Sequence, residues 1–251
     1  MLTEERQQFI LDTLASHQFL TLQQLTEYTN CSASTIRRDL NKLQQEEKLT
    51  RVHGGAKLID ERKELELVTK RSQNTNEKIA IAQIASRLIN DGDYIYLDAG
   101  STTLEMIPFI KAQNIKVVTN GLTHVEKLLS EGIDTIVVGG EVKTNTLAIT
   151  GARATQFIEN YHFDKVFLGV NGVDIVSGLS TPDEREALVK ESAMKQGQQT
   201  YVLADTSKFG EVHFSTIHEN ETPIIITNPS TYHIEHFEQY EKRYEFLGGH
   251  L

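Results

Sequence analysis

The chain has 251 residues, 24% of them charged and 39% hydrophobic, with four prolines and one cysteine. These values fit one large or two ordinary folded domains and exclude a disordered chain or a disulfide-stapled miniprotein. The net charge of −10 would argue against nucleic acid only if it were evenly spread; residues 1–58 hold seven bases and seven acids, so all the net negative charge lies beyond them.

Three helices are expected at the start of the chain. Thr3 precedes the first, with Phe9, Ile10 and Leu14 on its inner stripe. Thr21 and Gln24 form a capping box for the second, and Ser32 or Ser34 caps a third that carries Ile36, Leu40 and Leu43 inward. The turn Thr29-Asn30-Cys31 makes the last two a helix-turn-helix. The outer faces of the third helix then carry Ser34, Thr35, Arg37, Arg38, Asn41 and Lys42, which are side chains able to read base edges or bind phosphates. Asp39 is expected to orient Arg37 or Arg38, or to pair with another base.

Leu49 to Val52 followed by Gly54-Gly55 predicts a hairpin. Arg51, His53 and Gly54 at its tip suit a wing against the phosphate backbone. A three-helix protein-interaction module would show the same helices. The segment from Ala33 to Lys57 carries six bases against three acids, and double-stranded operator DNA is the partner it fits. The run Ser34-Thr-Ile-Arg37-Arg38-Asp-Leu40 with Leu49-Thr-Arg51-Val-His53-Gly-Gly-Ala56 resembles the winged-helix signature of the DeoR family of bacterial transcription regulators. That resemblance places Arg37 and Arg38 on the recognition helix and His53-Gly54-Gly55 in the wing.

Three segments are expected: a winged helix-turn-helix over 1–58, a charge-rich linker over 59–76 and a body over 77–251. The body alternates strand-like runs at 94–98, 115–119, 134–139, 165–170, 199–205 and 223–227 with helical stretches near 77–89, 102–112, 121–131, 152–161, 184–197 and 231–242. That rhythm predicts an α/β domain with a largely parallel sheet covered on both faces, whose ligands sit at the strand C-termini. No apolar run approaches a membrane span of roughly 18 residues. The start, MLTEERQQ, carries acids where a signal peptide carries bases, so a cytoplasmic location and no membrane partner are expected.

Polar and glycine residues gather after the predicted strands. In YLDAGSTTLEMI, residues 96–107, Gly100 permits close backbone approach, while Ser101, Thr102 and Thr103 offer hydroxyls at a helix start; this is a candidate phosphate cradle, headed by Asp98. An ordinary N-cap by Ser101 or Thr102 would account for the hydroxyls without a ligand. Pro108 should keep the helix short or kinked. Thr119, Asn120, Gly139, Gly140, Asn171, Gly172, Asp174 and Lys208 complete the candidate ligand set. No metal or cofactor is expected.

The body's marks D98-A-G-S-T-T103, T119-N120, G139-G140, G169-V-N-G-V-D174, D183-E184 and D205-T-S-K208 resemble the sensor domain of the same family, related in fold to ribose-5-phosphate isomerase and CoA transferases. Isomerases of that fold carry an Asp-Gly-Ala-Asp run, a following lysine and a glutamate base. Here Asn171 replaces the first aspartate and residues 175–182 contain no lysine. Glu184 stands near the position of the base, yet Thr181, Pro182 and Glu184 also read as a capping box. A carboxylate without a cationic partner stabilises an enediolate poorly, which disfavours catalysis.

Among such regulators, the wording R-V-H-G-G-A, V-V-T-N-G-L-T-H and T-Y-V-L-A-D-T-S-K-F-G-E is most similar to the fructose operon repressors of Gram-positive bacteria. The resemblance implies fructose 1-phosphate as inducer of a DNA-binding homo-oligomer, dimer or tetramer. A repressor answering tagatose 6-phosphate or glycerol 3-phosphate, or a DNA-binding protein with residual isomerase activity, is the alternative.

Overall fold

The computed structural model describes residues 3–17, 19–46, 48–52, 54–58 and 67–248. They fall into two units, one within residues 1–64 and one within 65–251, and each is built from its own periodicity.

In the first unit, helices α1 (Thr3–Ser16), α2 (Leu22–Thr29) and α3 (Ala33–Gln45) enclose Ile10, Leu14, Leu25, Ile36, Leu40 and Leu43. Strands β1 (Leu20–Thr21), β2 (Leu49–Val52) and β3 (Gly55–Leu58) form an antiparallel sheet in the order β1-β3-β2. Leu20, Leu49 and Ala56 on those strands close the core. The Thr21–Gln24 capping box is present, Ser32 rather than Ser34 caps α3, and Asn30 ends α2 in the left-handed region. Phe9, expected on the inner stripe, is instead among the exposed hydrophobic residues, because α1 turns Ile10 and Leu14, with Leu11 beside them, toward the core. The unit is a winged helix-turn-helix.

The second unit opens with α4 (Leu67–Ser72) and α5 (Thr75–Ser86). It continues as β4 (Tyr94–Leu97), α6 (Ser101–Met106), β5 (Lys116–Thr119), α7 (Leu122–Ser130) and β6 (Asp134–Val137). A small hairpin, β7 (Glu141–Val142) and β8 (Ile149–Thr150), precedes α8 (Ala152–Ile158) and β9 (Phe163–Gly169). Then come β10 (Gly172–Asp174), β11 (Gly178–Thr181), α9 (Glu184–Gln196), β12 (Gly197–Leu203) and β13 (Ser215–Thr216). The unit ends with β14 (Ile224–Ile226), α10 (Phe237–Glu241) and β15 (Glu245–Leu247).

Seven of these strands form one sheet, ordered β15-β14-β12-β9-β4-β5-β6, with every neighbouring pair parallel. Alternate residues go to opposite faces and both faces are buried. Tyr96, Val166, Leu168 and Val202 pack with α8 and α9, whereas Ile95, Leu97, Phe167 and Leu203 pack with α5 and α6. From β4 the chain steps to β5 and β6 on one side, while β9, β12, β14 and β15 build the other. The seam between β4 and β9 is therefore the point where strand order reverses, and the crevice at its C-terminal end is where such sheets hold ligands.

The expected helix over 231–242 is split into a 3-10 turn at Pro229–His233 and the short α10, because His236 takes a left-handed conformation at φ 61. The antiparallel pieces β7–β8 and β10–β11–β13 and the edge strand β15 lie outside the expected alternation. Pro108 acts as anticipated: α6 stops at Met106 and continues only as a 3-10 turn.

Candidate functional site

In the head, burial of Ile36, Leu40 and Leu43 turns Arg37, Arg38, Asn41 and Lys42 to the outside, and all four are exposed. Ser34 is exposed and Thr35 half-buried; the Ser32 hydroxyl lies 2.9 Å from each of their hydroxyls and accepts the Thr35 N–H at the helix start. Asp39 serves neither Arg37 nor Arg38. It is 2% exposed and takes the Arg6 guanidinium, with Arg6 Nε donating to Oδ2 at 2.6 Å and Gln7 donating to Oδ1 at 3.2 Å. This cancels the one acidic charge of α3 within the fold. Glu46 lies 2.8 Å from Lys48, whose hydrogen bond holds that carboxyl below its ordinary range.

Arg51 of β2 donates to Asn41 Oδ1, so wing and recognition helix present one continuous polar surface. Val52 pairs directly with Gly55, leaving a two-residue loop. Gly54 in that loop has φ +82, a left-handed conformation that any side chain would strain. Gly54 is exposed; His53, the other tip residue expected to touch DNA, lies outside the described residues.

In the body, the β4–β9 seam gathers the cradle. Asp98 follows β4 at 1% exposure; its Oδ2 accepts the Gly169 N–H at 3.1 Å and the Lys190 ammonium from α9. Gly100 N–H donates to Thr103 Oγ1 at 3.0 Å, and that hydroxyl donates to the Asp98 carbonyl at 2.6 Å. Thr103 therefore closes the loop from inside rather than facing a ligand. Ser101 and Thr102, one step nearer solvent at 9% and 7% exposure, make no hydrogen bond through their hydroxyls to the described residues. Their backbone N–H groups begin α6, where no intrahelical acceptor exists.

Thr119 and Asn120 follow β5 and brace the site. Thr119 Oγ1 accepts from Gly121 N–H at 3.1 Å, while Asn120 Oδ1 accepts from Ala99 N–H at 2.8 Å and its amide donates to Ile149 O. Gly139 and Gly140 follow β6 and are exposed; a Cβ on Gly140 would stand 2.6 Å from Thr150 O, so the close passage of β8 explains that glycine. Gly172 is buried in β10. Asp174 is spent on the turn of the β10–β11 hairpin: the Ser177 and Val176 N–H groups bond its Oδ1, and the Ser177 bond keeps the carboxyl below its ordinary range. Lys208, in the 3-10 turn after β12, donates to Ser207 Oγ at 3.0 Å. Burial opposes the ionised form of nearby Asp205, but Lys208, Ser207 and Lys78 hold that carboxyl below its usual range.

Glu184 and its capping box need correction. The N-cap of α9 is Asp183, which accepts the Arg185 N–H at 2.9 Å, and Glu184 is exposed on the first turn. The buried carboxylate is Glu186, two residues on. Thr181 Oγ1 lies 3.2 Å from Glu186 Oε2 and 3.2 Å from Asn171 Oδ1. Nor does the carboxylate lack a cation: Lys143, from the hairpin loop, sits 2.8 Å from Glu186 Oε1 and 3.0 Å from Asp183 Oδ2. Sequence reading missed Lys143, Glu186 and Lys190. A usable signal was the pair Glu186 and Lys190, four apart among Ala187, Val189 and Ala193 on the buried side of α9; two charges on an apolar stripe must meet partners inside. Lys143 carried no such signal.

His124, at the start of α7, is a further missed residue. It is 1% exposed, its Nε2 lies 3.1 Å from Thr103 Oγ1, and burial, assisted by the charges of Lys127 and Arg71, pushes it down to about 3. The folded protein keeps this imidazole neutral while the unfolded chain protonates it near 6.5. Its contribution to stability is thus whole above pH 6.5 and lost as pH falls from there toward 3, at up to about 1.4 kcal/mol per unit. Urea unfolding of the full chain between pH 7 and 4.5 should show a His124→Gln variant with a pH slope shallower by about one proton; equal slopes would deny the buried neutral histidine.

Among the described residues, no helix is long and apolar enough to cross a membrane. A family model described as the DeoR-like helix-turn-helix domain matches residues 6–62, and one described as the DeoR C terminal sensor domain matches residues 73–228. The uncharacterized HTH-type transcriptional regulator FruR of Bacillus subtilis is 49% identical over 86% of this chain and 86% of its own. The lactose phosphotransferase system repressor of Lactococcus lactis is 34% identical over 94% of this chain and 96% of its own. Among solved structures, ribose 5-phosphate isomerase A of Methanocaldococcus jannaschii aligns at TM-score 0.41 and 17% identity, over 55% of each chain.

Proposed function

The chain belongs to the DeoR family of transcriptional regulators, and from that premise we propose that it represses a sugar-utilisation operon and leaves its operator when the body binds a phosphorylated sugar, fructose 1-phosphate. The observation that carries the effector reading is the pair of uncommitted hydroxyls, Ser101 and Thr102, beside Gly100 at the β4–β9 seam. Backbone N–H groups and hydroxyls at that point suit a phosphate, and Lys208 supplies a cation at the same edge of the sheet. Of the other residues, Asp98, Thr103, Thr119 and Asn120 shape the loops, and Asn171 follows β9 on the far side of the seam.

The body reads the phosphosugar and does not transform it. Glu186, the one buried carboxylate of α9, has its two oxygens held by Lys143 and Thr181, and Lys190 is held by Asp98. A base and an electrophile so engaged are poorly placed to move a proton between sugar carbons. The three motif runs quoted above for their resemblance to fructose operon repressors are what favour fructose 1-phosphate over the tagatose and glycerol phosphates. The head acts in a homo-oligomer that spans paired operator half-sites, and the effector favours a state that no longer spans them.

Fluorescence anisotropy with the chain's upstream DNA, run with and without fructose 1-phosphate, tagatose 6-phosphate and glycerol 3-phosphate, tests this reading. Steeply salt-dependent binding released by fructose 1-phosphate is expected, while turnover of any of these sugars would overthrow the sensor. The double variant Ser101→Ala, Thr102→Ala should bind DNA as the wild type does and bind the effector weaker by more than about tenfold, since hydrogen bonds to charged groups are worth roughly 1.5–3 kcal/mol each. Normal induction in that variant removes the cradle from the effector site.

A further inference from the structure

Helix α4 is a six-residue segment that the chain reaches directly from residues 59–66, the stretch that leads out of the wing. Six residues do not hold a helix in water, so its ties to the body decide whether it forms. Besides the local bond from Thr75 Oγ1 to Arg71 O, three ties stand out among the described residues. At its start, Leu67 N–H donates to Asn145 O at 2.9 Å. In its last turn, Arg71 stands 3.7 Å from Glu105 of α6. At its end, Lys78 of α5, 3% exposed, donates its ammonium to the carbonyls of Lys70 and, at 2.7 Å, Gln73. A buried ammonium against the last carbonyls satisfies groups that a helix terminus leaves open and complements its dipole.

The ties join α4 to elements around the effector site, and α5, which carries Lys78, is itself joined there, its Glu77 Oε2 accepting the Thr206 N–H at 3.0 Å. Asn145 lies in the β7–β8 loop whose Lys143 grips Glu186. Glu105 is two residues past Thr103 on the cradle helix. Asn74, between α4 and α5, takes a left-handed conformation and donates to Asp205 Oδ1 at 3.3 Å, in the loop that carries Lys208.

We infer that α4 is a strap tied across effector-site elements by Lys78, and that loosening or tightening this strap passes effector occupancy into the chain segment leading to the DNA-binding head. The inference rests on the sensor reading above. Lys78 is a positioning residue: it holds main-chain carbonyls, and its removal should divide effector binding from operator release. A strap with a tied and an untied state is the two-state element that coupling requires, and an effector that shifts such an equilibrium needs unequal affinity for the two states.

The tie is tested without any effector. Hydrogen exchange of the full-length chain, read by mass spectrometry over residues 67–72, should speed at least tenfold in Lys78→Met and return toward wild type in Lys78→Arg; unchanged exchange in Lys78→Met overturns the strap. The coupling is tested with fructose 1-phosphate. Calorimetry should find its affinity within about threefold of wild type in Lys78→Met, while the tenfold or greater operator release seen in wild type falls below twofold. Release that persists, or effector binding lost together with release, overturns the inference. Arg71→Gln, at an exposed position that leaves the fold intact, should reduce release in the same direction, and full release in that variant counts against the strap.

Discussion

Arg37→Ala is expected to weaken operator binding by about 1–3 kcal/mol, or roughly five- to 150-fold, with effector binding unchanged. The guanidinium is exposed on α3 and shares no ion pair with Asp39, whose charge Arg6 consumes. Its removal therefore costs the fold little, within about 0.5 kcal/mol for such a surface position. The salt dependence separates the two ways Arg37 can act. If it forks onto a guanine edge, affinity for the operator falls and discrimination against altered sites relaxes at one base pair. If it binds phosphate, affinity falls on all sequences and the salt slope drops by about one. Anisotropy titrations over several salt concentrations, on operator and scrambled DNA, read both. An Arg37→Ala chain that binds its operator as tightly as wild type would remove α3 from the interface.

Lys190→Met should be the most damaging single change in the body. Lys190 and Asp98 are both almost fully buried, and the carboxylate keeps only the Gly169 N–H once the ammonium is gone. Breaking a buried ion pair by removing one partner costs about 3–5 kcal/mol, because the surviving charge stays out of water without compensation. For a unit of this size each kcal/mol lowers the melting temperature by roughly 2–4 °C, so a fall of about 6–20 °C is expected in calorimetry. The double variant Asp98→Asn, Lys190→Met should recover most of that loss, since no unpaired charge remains. Additive losses in the double variant would show that the two groups do not interact energetically.

These two positions mark the limits of what could be read along the chain. Arg37 was legible because a helix has a fixed period: once Ile36, Leu40 and Leu43 face inward, their neighbours must face out. The seven-stranded sheet was nearly as legible, with six of its strands announced by apolar runs and the cradle by a glycine and hydroxyls between strand and helix. Glu184 was misplaced for a related reason. Sequence marks the start of α9 through Thr181, Pro182 and Asp183, but the choice of Asp183 as cap shifts the buried face by two residues, and that shift exchanges Glu184 for Glu186. The short hairpins escaped because two- to four-residue strands carry too little periodicity to register.

The sequence by itself determined the winged head, the parallel sheet and the place of the cradle, since each is written in local spacings of apolar, glycine and hydroxyl residues. Tertiary structure alone decided which charges meet. Asp98 and Lys190 are 92 residues apart, Glu186 and Lys143 are 43 apart, and Arg6 and Asp39 are 33 apart. Desolvation makes a partner obligatory for each buried charge, but any of the chain's 25 bases and 35 acids satisfies that demand on paper. Only the packing of α9 against the β4–β9 seam brings one particular ammonium to one particular carboxylate.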